Sequence, residues 1–86
     1  MWYVYILRCG DGTLYTGTTD DVARRLAAHR AGKGAKYTRG RAPLEPVYTE
    51  PCENHSAALR REYAIKRLSR EEKLRLIASV SKAPEE

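Results

Sequence analysis

Aromatic and β-branched residues crowd the first nine positions, give way at Gly10-Asp11-Gly12, and return from Thr13 to Thr18. Such runs, split by residues that favour turns, predict two strands joined as a β-hairpin. The length of the turn decides which side chains share a face. With Gly10-Asp11-Gly12 as the loop and Cys9 opposite Thr13, Tyr5 and Tyr15 point the same way; a two-residue Asp11-Gly12 turn would set them on opposite faces.

Further on the period changes. Val22 and Leu26 form the apolar centre of a helix that Thr19-Asp20-Asp21 supplies with an N-cap and two first-turn acids, and that runs to about Ala31. Residues 32–43 are glycine-rich, carry four positive charges and read as a loop. The stretch from Leu44 to Cys52 holds a third strand, expected to begin after Pro46. Asn54 or Ser56 opens a second helix to about Leu68, and Ser69-Arg70-Glu71-Glu72 is a capping box for a third. The order is therefore β-β-α-β-α-α, an α+β class. Residues 1–80 read as one domain, and a tail over 81–86 is expected to fray.

Composition narrows the class. The 86 residues allow one modest core, and 42% hydrophobic with 31% charged residues is a globular balance. Sixteen Lys and Arg against eleven Asp and Glu leave a formal charge of +5, which permits a polyanionic partner. Many of these cations are Arg, whose guanidinium fork grips phosphate in a bidentate way. No apolar run approaches the ~18–20 residues that span a bilayer, and the N-terminal run reads as a strand and not a signal peptide. Cys9 and Cys52 lack metal-ligand spacing and read as reduced thiols, so the cytoplasm is the expected compartment.

The chemistry-bearing positions each have a plainer reading. Arg25 and His29 lie one turn apart at the border of the first helix, where snorkelling side chains also sit. At ~100° per residue, Ala58, Leu59, Tyr63 and Ile65 fall on one arc of the second helix, with Glu62 and Lys66 inside it and Arg60, Arg61 and Arg67 pointing away. A carboxylate in a core-facing arc needs a partner or a cation. The plainer account of Glu62 is an i,i+4 pair with Lys66, worth ~0.3–0.5 kcal/mol if exposed. His55, ahead of the second helix, reads as a solvated first-turn residue.

Taken in order, Tyr3-Val4-Tyr5, a hairpin, Tyr15-Thr16-Gly17, Arg25…His29 and a helical Glu62 resemble the GIY-YIG nuclease superfamily, most closely its small stand-alone members. Tyr3 replaces the glycine of the first motif and Thr16 the isoleucine of the second, while Thr18 stands where some relatives carry a lysine. The resemblance implies a small three-stranded antiparallel sheet flanked by helices. It also implies a metal-dependent DNA endonuclease of low sequence specificity, acting on particular DNA structures in repair or recombination, with RNA left open as a substrate. One Mg²⁺ or Mn²⁺ would be held by Glu62, and Tyr5, Tyr15, Arg25, His29 and Glu62 would be the catalytic set. Tyr15 would accept the water proton with Tyr5 as its partner, Arg25 would neutralise phosphate charge, and His29 would orient a tyrosine or contact phosphate. Lys33, Lys36, Arg39 and Arg41 suit phosphate contacts in the loop, and Tyr37 suits stacking on an unpaired base. The alternatives are a non-catalytic nucleic-acid-binding module and a protein-interaction domain within a repair complex, with a monomer as the default state.

Overall fold

In a computed structural model, which describes residues 1–81, the hairpin forms as β1 (Trp2–Arg8) and β2 (Leu14–Thr19). There follow α1 (Val22–Arg30), β3 (Glu45–Cys52), α2 (His55–Lys66) and α3 (Arg70–Ser81), with one 3-10 turn at Lys36–Thr38 in the connecting loop. The sheet is antiparallel, in the order β2-β1-β3. The expected order of elements and the α+β class are those found. Of the tail expected to fray over 81–86, residues 82–86 lie outside the described residues, and Ser81 ends α3.

The turn has the odd length. Cys9 N–H donates to the Thr13 carbonyl, Gly12 takes a positive φ of 86°, and Tyr5 pairs with Gly17 while Leu7 pairs with Tyr15. Tyr5 and Leu7 share a face of β1, so Tyr5 and Tyr15 do too. Asp11 closes the turn through its carboxylate, which accepts from both the amide and the hydroxyl of Thr13.

Strand β1 is central and buried from both sides. Its Val4 and Ile6 join Tyr48, Ala58 and Ile65 in the apolar core beneath α2 and α3, with Leu76 and Ile77 of α3 packed against it. Beside this core the Tyr48 hydroxyl donates to Glu50, which Arg61 of α2 also grips at 3.0 and 3.1 Å.

Three local expectations are corrected. First, β3 starts at Glu45 rather than after Pro46. It is an edge strand with a register shift opposite Ile6 and Leu7, and proline is tolerated at an edge or bulge because no ladder N–H is needed there. Second, the α1 cap is Asp21, which accepts from Arg24 N–H, so no acid remains in the first turn; Thr19 instead bonds the Asp21 backbone. Third, Leu59 and Tyr63 are exposed, at 46% and 64%, whereas Arg61 is drawn inward by Glu50. The buried stripe of α2 is centred on Ala58 and Ile65, with Glu62 between them, and at 100° per residue it leaves Leu59 and Tyr63 on its outer flank. The other caps form as expected: Asn54 accepts from Ala57 N–H, and Ser69 and Glu72 each accept the other's backbone N–H.

Candidate active site

Gly17 gives Tyr5 its position. A Cβ at residue 17 would stand 2.6 Å from the Tyr5 hydroxyl oxygen, 2.8 Å from its Cζ and 3.1 Å from a ring carbon of Tyr15. The Tyr5 ring therefore lies directly over the Gly17 backbone and points across β2, an edge strand. The Tyr15 ring lies 6.3 Å from it, tilted by 51°.

His29, from the last turn of α1, meets both tyrosines edge-on, at 5.9 Å from Tyr5 and 5.4 Å from Tyr15. Its Nε2 lies 2.8 Å from the Tyr5 hydroxyl and its Nδ1 2.9 Å from the Thr38 hydroxyl, which itself donates to the Ala35 carbonyl. We assign the tautomer from these partners. Thr38 has spent its proton on Ala35, so Nδ1–H donates to Thr38 and Nε2 is left to accept from Tyr5. The Ala35 N–H also approaches Nδ1, at 3.4 Å, too long to compete. Burial, and secondarily the Arg25 charge, pull the His29 pKa below its ordinary value, so the imidazole stands neutral. Gly34 makes room for it, since a Cβ there would lie 2.3 Å from Nδ1.

Arg25 and Glu62 both act on the Tyr5 phenol. Burial raises the Tyr5 pKa, Arg25 opposes that rise, and the charges of Tyr15 and Glu62 add to it. The phenol is thus held protonated, with its proton directed at His29. Glu62 arrives from α2 on the far side of the sheet, its side chain 18% exposed, and Lys66 Nζ pairs with it at 2.8 Å. This is the i,i+4 pair that helix spacing also allowed. Lys66 is 51% exposed, so the pair opens to solvent at its outer end. Its ammonium lies 6.0 Å from the Tyr15 ring centre. All five residues expected to form the site are brought together.

The donor set suits a hard cation. Among the described residues no three His, Cys, Asp or Glu side chains cluster as a metal cage. One carboxylate already carrying a cation on its oxygen fits Mg²⁺ or Mn²⁺, which complete their shells with water and substrate phosphate.

The loop divides. Tyr37 stacks on Tyr15 at 5.8 Å, and the Arg41 guanidinium lies 4.4 Å over the Tyr37 ring. Arg41 also pairs with Asp11 and donates to the Tyr37 carbonyl. These two expected nucleic-acid contacts are thus built into the wall of the site. Lys33, Lys36 and Arg39 are exposed. Sequence reasoning missed Thr38 and Gly34, whose roles depend on a loop folding back onto His29; His55 is exposed in the first turn of α2, as read, and its ring also stacks on Trp2 at 3.8 Å. Cys9 and Cys52 are unpaired thiols.

The chain belongs to the GIY-YIG family: the family model of the GIY-YIG catalytic domain matches residues 1–75. Within it the chain is similar to the UPF0213 proteins. One from Natronomonas pharaonis is 60% identical over 76 residues, covering 88% of this chain and 89% of that protein. One from Clostridium perfringens is 56% identical over 81 residues, covering 94% and 87%. Among solved structures, the solution NMR structure of a UPF0213 protein from Bacillus halodurans is similar at 50% identity and a TM-score of 0.60, covering 98% of this chain and 89% of that one. A protein from E. faecalis, also solved by NMR, matches at 38% identity and a TM-score of 0.64, covering 98% and 90%.

Proposed function

We propose that this protein is a divalent-metal-dependent endonuclease that hydrolyses phosphodiester bonds in DNA with low sequence specificity. The observation that carries the reading is the Tyr5–His29 hydrogen bond set among Tyr15, Arg25 and Glu62. A phenol with an ordinary pKa of ~10 is a poor base at neutral pH unless something accepts its proton. His29 is neutral and presents Nε2 to Tyr5 at 2.8 Å.

The hydrogen bond favours Tyr5, rather than Tyr15, as acceptor of the water proton. As water attacks phosphorus, its proton moves to the Tyr5 oxygen while Tyr5 passes its own to His29 Nε2. The P–O bond to the leaving oxygen breaks, and that oxygen takes a proton from solvent. Arg25 stabilises the charge that builds on a non-bridging oxygen. Glu62 would hold the Mg²⁺ or Mn²⁺, which supplies Lewis-acid stabilisation of the phosphate and leaving oxygen. Tyr15 packs against His29 and fixes the tilt of its ring. Exposed Lys33, Lys36 and Arg39 would neutralise flanking phosphates. Phosphate-binding cations and a stacking tyrosine suit recognition of a flap, branch or single strand over a sequence. Repair or recombination within the cytoplasm is the setting this reading proposes for the activity.

The decisive experiment is nicking of branched, single-stranded and duplex DNA, and of RNA, with Mg²⁺ or Mn²⁺. Cleavage that needs metal and disappears in Glu62→Ala supports the nuclease. Retained nucleic-acid binding with no cleavage by the parent protein would instead mark a binding module.

A further inference from the structure

Beside Arg25 the surface opens into a cleft of about 340 Å³, lined by Trp2, Thr18, Thr19, Arg24, Arg25 and Ala28. It lies where the start of β1, the end of β2 and the first turns of α1 meet. None of the chemistry proposed above uses it apart from Arg25.

We propose that this cleft is a subsite for one unpaired nucleotide next to the scissile phosphate, its base stacked on Trp2 and its phosphate held by Arg24. The idea rests on the nuclease reading for the phosphate at Arg25, and it names the form of substrate that the site takes. Three features carry it. The volume lies at the low end of ~300–1,000 Å³ small-ligand pockets, room for a nucleoside unit and not for a base pair. The indole is held in place, for it packs against the apolar core and one of its faces stacks on the His55 ring, with planes 13° apart, so a base would meet the other face where Trp2 lines the cleft. A fixed aromatic platform loses little freedom when a base stacks on it, and stacking tolerates any base.

The third feature is charge. Arg24 and Arg25 follow one another in the chain and both line the cleft. Arg24 is tied to Asp20 at 3.1 Å and to Asp21 at 3.9 Å, but its side chain is 72% exposed, and exposed pairs of this kind exchange readily. The two acids set a limit on the anion, since they stand beside Arg24 and repel a phosphate that fails to displace them. The hydroxyls of Thr18 and Thr19 line the floor; the Thr19 hydroxyl is engaged with Asp21, and Thr18 offers a donor and acceptor for a sugar or base edge.

Trp2 is the one tryptophan in the chain, so its emission reports on the cleft directly. The test titrates Glu62→Ala protein, without metal, with a short oligothymidylate, with the same oligomer carrying one abasic residue at each position in turn, and with inorganic phosphate. Saturating oligothymidylate should quench Trp2 emission, and one abasic position should weaken binding by roughly tenfold. Phosphate should leave the emission unchanged. Trp2→Phe should keep most of the affinity, measured by anisotropy of a labelled oligomer, whereas Trp2→Leu loses about as much as the abasic substitution. Circular dichroism checks that each variant folds. If Trp2→Leu does not, Arg24→Ala answers instead: it should weaken the oligomer severalfold and remove the dependence on one phosphate.

Unchanged Trp2 emission at saturation overturns the subsite, as does equal affinity for intact and abasic oligomers at every position. Because the readout is binding without metal, a parent protein that proves unable to cleave leaves a positive result standing. A cleaving enzyme with silent Trp2 emission sinks the subsite alone.

Discussion

Strand β1 is a single stretch of chain with two different undersides. Val4 and Ile6 face α2 and α3, while Tyr5 and Leu7 face the other way, and all four are 0–2% exposed. Burial is equal; chemistry is not. On the Val4 side the partners are Ala58, Ile65 and Tyr48, and the contact is mostly hydrocarbon. On the Tyr5 side the buried groups are His29 and Thr38, joined in one hydrogen-bonded chain from the Tyr5 hydroxyl to the Ala35 carbonyl. Among the described residues, no buried side-chain polar atom lacks a partner. An apolar face tolerates substitutions of similar volume. A polar face holds only while every member is satisfied, because a buried orphan costs ~1–3 kcal/mol. A small domain that accepts this fragility at one spot has a use for the groups there.

The widest separation between the two faces should appear in Arg25→Ala. Single-turnover cleavage with saturating protein should fall by ~10²–10³, or ~3–4 kcal/mol, with little change in DNA binding or melting temperature. Parental cleavage rates in that variant would remove Arg25 from the chemistry.

Tyr5→Phe against Ile6→Val compares neighbours on opposite faces. Loss of the hydroxyl strands His29 Nε2 and should cost ~1–3 kcal/mol of stability in urea unfolding, together with cleavage. Ile6→Val removes one methyl from the apolar side, should cost ~0.5–1.5 kcal/mol, and should leave cleavage intact. If Ile6→Val abolished cleavage while Tyr5→Phe spared it, the division of labour would be reversed.

Acid should find the polar face first. The His29 pKa is lowered by folding, so below its ordinary value of ~6.5 the unfolded chain binds the proton more readily than the native state. Its contribution to stability is therefore complete above that pH and is lost as pH falls towards the lowered native value. His29→Gln should flatten this part of the stability–pH curve, measured by denaturant melts between pH 7 and 5. Cleavage by the parent should hold through ~6.5 and decline only as pH falls towards the lowered native value, where His29 ceases to accept from Tyr5. An identical curve in the variant would assign the dependence elsewhere.

The smallest effect belongs to the loop. Replacing Lys33, Lys36 and Arg39 by Ala should each lower the log–log salt slope of DNA binding by ~0.7–0.9, whereas Arg41→Ala adds little because Asp11 already holds it. A slope that drops as much for Arg41 as for Lys36 would mean that the pair opens on binding.

The sequence alone determined whatever depends on near neighbours. Turn residues at 10–12 marked the hairpin, whose odd length put Tyr5 and Tyr15 on one face; Asn54, one of two candidates, capped α2, and Ser69 and Glu72 capped α3 as read. These signals act over a few residues, where little chain entropy stands between a pattern and its structure. The resemblance carried by Tyr5, Tyr15, Gly17, Arg25, His29 and Glu62 named the site, yet not its wiring. Tertiary structure decided that His29 bonds Tyr5 and Thr38, that Tyr37 covers Tyr15, that Lys66 shares Glu62, and that Leu59 and Tyr63 face solvent. Each of these is set by where a loop folds back or how a helix is rotated against the sheet. A period of 3.6 residues specifies that a helix has a buried stripe, while the neighbour it packs against chooses the stripe's centre. Here Ala58 and Ile65, packed on Val4 and Ile6, set the buried stripe of α2, with Arg61 paired to Glu50 beside it and Glu62 close enough to act on Tyr5.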